Sequence, residues 1–193
     1  PHVPDDCAHI LPLYAAEYDR FWAVCQDLGV VVNQHGGTGS PDYGTWPASL
    51  PIRLLETMFF STRSYGHLLL SGVFERFPNV RIASVENGAE FLPDLFRKLR
   101  QSSDRLATAH YYKEDPAVLF ADHVWINPFW EDDVYQVEAL MGPERVIFGS
   151  DWPHIEGMPE PLDYVAELER FDAEKKRRIL RENALELTQL LPV

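Results

Sequence analysis

Four short β-rich runs in this 193-residue sequence end on, or run directly into, a side chain that could do chemistry: His35, Glu86, Asn127 and Asp151. An imidazole and a carboxylate are good ligands for a divalent cation such as zinc or manganese. A carboxylate can also take a proton from a bound water, or return one. His35 lies in Val32-Asn-Gln-His-Gly-Gly37, where two glycines let the backbone pass close to a ligand. Asp151 lies in Gly149-Ser-Asp-Trp-Pro-His154, with Pro153 stiffening the turn. His154 either reaches the same cavity or holds the loop. For any one position the plain alternative is that polar residues end strands because loops begin there, and His35 could simply cap its strand. Four such ends together argue against coincidence.

Those ends matter only if the elements bring them together. A helical pattern over residues 11–28 stops at Gly29 and is followed by the β-branched run Val30-Val-Val32. Residues 36–51 are rich in Gly, Pro and Ser and read as a loop. A long helical stretch is predicted over 51–77 with a break near Ser64-Tyr-Gly66. A second strand follows at 80–85 and a helix at 90–106. A polar connection then leads to a third strand at 123–127, and a helix at 132–140 precedes Gly142-Pro143. The fourth strand is predicted at 145–149, with two or three helices over 162–191. Strands alternating with helices imply parallel β/α units, whose reactive groups gather at the carboxyl ends of the strands. Either a small open sheet or part of a barrel satisfies this pattern. Neither phosphate-binding glycine signature is present, which speaks against nucleotides.

The bulk properties narrow the partners. Thirty acidic against 17 basic residues, a formal charge of −13, argue against nucleic acid and anionic membranes. No apolar run approaches the ~20 residues of a membrane span, and no signal peptide is visible. Cys7 and Cys25, outside any CxxC pair, read as free thiols in a reducing, cytoplasmic setting. His67 reads as a helix residue facing a neighbour. His2, His9, His110 and His123 read as loop or strand-edge histidines.

Residues 67–82 (His-Leu-Leu-Leu-Ser-Gly-Val-Phe-Glu-Arg-Phe-Pro-Asn-Val-Arg-Ile), 84–91 (Ser-Val-Glu-Asn-Gly-Ala-Glu-Phe) and 145–154 (Arg-Val-Ile-Phe-Gly-Ser-Asp-Trp-Pro-His), with Asn183-Ala184, resemble the amidohydrolase-2 family. That family is related to aminocarboxymuconate-semialdehyde decarboxylase. The resemblance spans essentially the whole chain and implies the C-terminal half of a (β/α)8 TIM barrel, strands five to eight with their helices, as a single partial domain over 1–193. It implies that His35 is the metal-binding His after strand five. Asp151 would be the metal-binding or proton-transferring Asp after strand eight. Glu86 stands where the decarboxylase branch often has a catalytic His, and the family's His-x-His pair is absent.

The expected site therefore has Asp151 and Glu86 as catalytic groups and His35 and Asp151 as ligands of a divalent metal, zinc first and manganese second. Asn87, Trp152, His154 and Asn127 are expected to bind substrate, with the tryptophans and Phe129 shaping the pocket. The expected activity is metal-dependent hydrolysis of a small carbonyl or carboxylate compound. Non-oxidative decarboxylation is the alternative, and a non-catalytic barrel remnant acting as a structural or interaction protein is the rival. An unrelated open α/β binding domain is a third reading. Half a barrel would leave open edges and an exposed inward face of Val, Ile and Phe. A second copy of the chain, or a missing N-terminal half, is expected to cover them.

Overall fold

The computed structural model describes residues 11–37, 40–106, 115–155 and 157–188. Cys7, His2, His9 and His110 lie outside them. Three strands, β1 (Val31–His35), β2 (Arg81–Val85) and β3 (Val124–Ile126), pair in parallel in that order. Val31 stands opposite Arg81 and Ile82 opposite Val124. The expected fourth strand is reduced to one parallel bridge between Ile126 and Val146. The reason lies in its hydrogen bonds. Ile147 N–H still donates to the Ile126 carbonyl (2.8 Å), but Phe148 N–H donates to Ile179 (3.1 Å). The Val146 carbonyl accepts from Asn183 Nδ2 at 2.7 Å. The C-terminal helical region thus takes the backbone groups that would have extended the sheet.

Helix α1 (Asp19–Leu28) ends as expected on Gly29, which adopts a left-handed φ of 63°. Helix α2 (Ser49–Leu70) runs unbroken through Gly66. A mid-helix glycine costs about 1 kcal/mol. Burial of Tyr65, Leu68 and Leu69 on the docked side outweighs it, at roughly 1.5–3 kcal/mol for each large side chain. The break falls later, at Gly72, before the short α3 (Val73–Arg76). After α4 (Phe91–Leu106), the expected polar connection contains a further helix, α5 (Pro116–His123). Asp115 caps it by accepting from Ala117 N–H (2.9 Å), and Pro116 takes the first turn, where no N–H is needed. Helix α6 (Val134–Met141) starts on Asp133 in the same manner. The chain closes through α7 (Tyr164–Glu167), α8 (Ala173–Arg177), a π-helical turn (Arg178–Glu182) and α9 (Asn183–Thr188).

Alternation along the strands divides the core in two. Ile82, Val124, Ile126 and Val146 face the helices and pack with Tyr65, Phe74, Leu92 and Phe120. Ala83, Trp125 and Ile147 face the other way and meet Leu187 of α9. The inward face expected to be exposed is therefore largely covered, because α9 folds back over it. His123 is structural, as expected. Its Nδ1 lies 2.7 Å from the Val80 carbonyl, and its ring stacks 4.1 Å from Phe74. Cys25 is a buried free thiol. No helix among the described residues is long and apolar enough to cross a membrane.

Candidate functional site

The parallel register sets His35, the last residue of β1, against Val85, the last of β2, so His35 and Glu86 become neighbours. His35 Nε2 lies 3.0 Å from Glu86 Oε2. The other ring nitrogen, Nδ1, lies 2.7 Å from the Gly36 carbonyl. A carbonyl only accepts, so Nδ1 carries the hydrogen and Nε2 faces the carboxyl group. Asp151 stands close enough on the other side of Glu86 for the two carboxyl groups to act on one another. Burial first, and then Asp151, pushes the Glu86 carboxyl above the usual range, with His35 pulling the other way. Beyond Asp151, His154 Nδ1 stands 3.6 Å from Asp151 Oδ2. Four groups from three strand ends thus form one line: His35, Glu86, Asp151, His154.

The local backbone is bent to achieve this. Glu86 and Asp151 both hold a left-handed φ, 52° and 55°, a conformation that costs a non-glycine residue about 1–3 kcal/mol. Gly36 is needed for a reason different from the one the sequence suggested. A Cβ there would lie 1.9 Å from the Glu86 carbonyl oxygen, so the close neighbour is backbone rather than a ligand. A Cβ on Gly149 would lie 2.8 Å from Asn127 Oδ1. Both glycines let adjacent strand ends close on one another.

Above Glu86 and Asp151 lies a cavity of about 540 Å³, whereas His35 lines a separate groove beside α1. Met58, Phe91, Phe129 and Trp130 form apolar walls, and Glu86, Asn87, Asn127 and Asp151 supply polar groups. Asn87 is buried and braces the strands, donating from Nδ2 to the Gln34 carbonyl (2.7 Å) and to Ser84 Oγ (3.2 Å). Its Oδ1 has no hydrogen-bond partner among the described residues. Asn127 donates to the Pro128 carbonyl at 3.2 Å. Trp152 and His154, expected to bind substrate, are not among the lining residues; Trp152 is exposed, while the half-exposed His154 ring stays beside Asp151. The tight turn that carries Asp151 inward turns its successors out.

Asp132 was missed. Its Oδ2 accepts from Phe129 N–H (2.7 Å) and Ala89 N–H (2.9 Å), tying the loops after β2 and β3 together beside the cavity. Burial pushes its carboxyl up, and the two N–H donors oppose that. In the sequence an Asp before a helix reads as a cap, which hid its longer-range part.

A metal was expected on His35 and Asp151. Among the described residues no group of three or more His, Cys, Asp or Glu side chains could hold one. Glu86 lies between the two expected ligands and engages both. Catalytic zinc usually takes three protein ligands. The set in this chain does not fit a complete cation site.

A parallel α/β sheet whose strand ends gather a His and two carboxyl groups beside an apolar-walled cavity defines the class of scaffold. The chain belongs to the amidohydrolase family, in its amidohydrolase-2 branch; the amidohydrolase family model matches residues 6–189. It is 26% identical over 186 residues to the 2-amino-3-carboxymuconate-6-semialdehyde decarboxylase of Dictyostelium discoideum, covering 87% of this chain and 47% of that protein. A crystal structure of an amidohydrolase from Mycobacterium avium subsp. paratuberculosis K-10 superposes with a TM-score of 0.81 at 30% identity, over 92% of this chain and 46% of that one. The dihydroxybenzoic acid decarboxylase of Polaromonas sp. JS666, solved with manganese and 2-nitroresorcinol, shares the fold at a TM-score of 0.68 and 18% identity, over 95% and 57% of the two chains. The chain spans about half the length of these relatives.

Proposed function

We propose that this chain supplies strands five to eight of a (β/α)8 amidohydrolase-type barrel and, together with the other half, acts as a non-oxidative decarboxylase of a small unsaturated or aromatic carboxylate. The observation that carries this reading is the Glu86 carboxyl, which touches both His35 and Asp151 and lines an apolar-walled cavity. Decarboxylation without an oxidant needs a proton placed on the carbon that carries the carboxylate. The bond from that carbon to CO2 then breaks, and its electron pair restores the double bond or ring. Glu86, its carboxyl pushed up by burial and by Asp151, is the group placed to deliver that proton beside the cavity, and Asn87 and Asn127 offer polar groups to orient the substrate. The decarboxylase activity named for the Dictyostelium relative favours this chemistry over the hydrolysis expected from the sequence.

In the whole protein, Asp151→Asn and Glu86→Gln should each lower kcat by about 10²–10⁴-fold, the range of a lost general acid. CO2 release from dihydroxybenzoates and from 2-amino-3-carboxymuconate-6-semialdehyde is the readout. Turnover within two-fold of the unsubstituted protein in both variants removes the roles assigned here.

A further inference from the structure

The apolar walls of the cavity are carried by different kinds of element. Met58 belongs to α2 and Phe91 to α4, so packed helices set their positions. Phe129 stands on the loop between β3 and α6 and is 37% exposed. A wall on a loop sets the size of a cavity only if something fixes it, because ordering a loop costs conformational entropy. Asp132 supplies the fixing bonds. Its Oδ2 accepts from Phe129 N–H at 2.7 Å, and its own N–H donates back to the Phe129 carbonyl at 3.2 Å, closing residues 129–132 into a tight turn. The same Oδ2 accepts from Ala89 N–H at 2.9 Å, which fastens that turn to the loop after β2, 43 residues earlier. Gly88, with a left-handed φ of 60°, lies under the ring. A Cβ there would stand 2.8 Å from Phe129 Cδ2, so the ring rests directly on glycine backbone. Gly88, Phe129 and Asp132 all line the cavity.

We propose that Asp132 is a positioning residue that sets the size of substrate the cavity accepts, by holding the Phe129 ring against Gly88 as a fixed wall. It rests on the reading of this cavity as the substrate site of a decarboxylase and adds what decides how large the acid can be. Gly88 stops the ring on the cavity side, and the two backbone N–H bonds to Asp132 stop its loop from swinging away. The exposed side of Phe129 faces solvent, so a released ring opens space outward rather than refilling the cavity. A single-ring acid leaves the wall in place. An acid with a second, fused ring has to displace it and loses the bonds that hold the loop. Asp132 therefore acts through Phe129 and needs no contact with the reacting carbon.

Two readouts test this. In the 193-residue chain, Asp132→Ala should speed hydrogen exchange at the Ala89 and Phe129 amides together, by about ten-fold or more, as loss of their acceptor requires. The Tyr135 amide, held by Asp133 at 3.0 Å, should keep its rate. In the whole protein, kcat/KM for a dihydroxynaphthoate relative to a dihydroxybenzoate should rise about ten-fold or more in Asp132→Ala. Phe129→Ala, which leaves both N–H bonds in place, should raise that ratio as much. A residue that only stabilised the fold would lower turnover of both acids and leave their ratio alone. An unchanged ratio in Asp132→Ala overturns the proposal, as does a rise that Phe129→Ala fails to reproduce. Exchange at 89 and 129 as slow as in the unsubstituted chain overturns it too. Should Asp132→Ala not fold, an unchanged ratio in Phe129→Ala is enough to overturn it. A whole protein that turns over neither acid strikes the decarboxylase reading, while the exchange comparison, which needs no substrate, still decides whether Asp132 holds the wall.

Discussion

The helix-covered face of the sheet and the rim at its carboxyl end are built to opposite rules. On the covered face, Phe120 sits fully buried between the rings of Tyr65 and Phe96, 5.2 and 5.4 Å away, in edge-to-face geometry. At the rim, two carboxyl groups stand close enough to act on one another, both on left-handed backbone, and the buried Asn87 Oδ1 has no hydrogen-bond partner among the described residues. The first region is where folding free energy is gained. The second is held in place by the first and spends part of that gain on geometry. Stability and site chemistry should therefore respond to different substitutions.

The largest expected effect falls on the covered face. Phe120→Ala should destabilise the chain by about 3–5 kcal/mol, seen as a lower urea midpoint. A loss below about 1 kcal/mol would mean that this face is not the source of stability. Asp132→Asn, at the border of the two regions, should cost less, about 1–2 kcal/mol, because the replacement must bury an amide NH2 while its single oxygen keeps two backbone N–H groups.

Asp132 also carries a pH dependence. Its folded pKa is raised, so the folded chain holds a proton that the unfolded chain has released. Its contribution is greatest in acid, at and below the ordinary carboxyl range, and falls as pH climbs through the raised value. Urea midpoints across pH should show the advantage over Asp132→Asn shrinking as pH rises; an advantage that grows would reverse the sign. The smallest effect is expected at Trp152, exposed and outside the cavity lining. Trp152→Ala should move stability by no more than about 0.5 kcal/mol. A several-fold rise in KM in the whole protein would instead restore the substrate contact that the sequence suggested.

How much of this was visible beforehand depends on the range of the interaction. The β-branched runs and the residues ending them were readable because alternation and glycine stops are local, and so the adjacency of His35, Glu86 and Asp151 followed from parallel topology. Reduction of the fourth strand to a bridge at Val146 was not, since it depends on Asn183 reaching back 37 residues along the chain. The continuity of α2 through Gly66 likewise required knowing that Tyr65 and Leu69 would be buried. Helix α5 did carry a local signal, Asp115-Pro116, overlooked because the segment before it is polar. Trp152 directly follows Asp151, yet the left-handed turn leaves it exposed and outside the cavity lining, a matter of backbone conformation that residue types alone do not specify.

The central claim is that the Glu86–Asp151 pair serves carbon–carbon cleavage. Turnover of a dihydroxybenzoate or of 2-amino-3-carboxymuconate-6-semialdehyde by the whole protein, in deuterated water enriched in heavy oxygen, tests it most directly, with products read by mass spectrometry. The expected result is CO2 and one deuterium on the vacated carbon, with no solvent oxygen in the product of the dihydroxybenzoate, whose hydroxyl groups do not exchange with water as the semialdehyde carbonyl does. Solvent oxygen in the organic product without CO2 would mean hydrolysis and would contradict it.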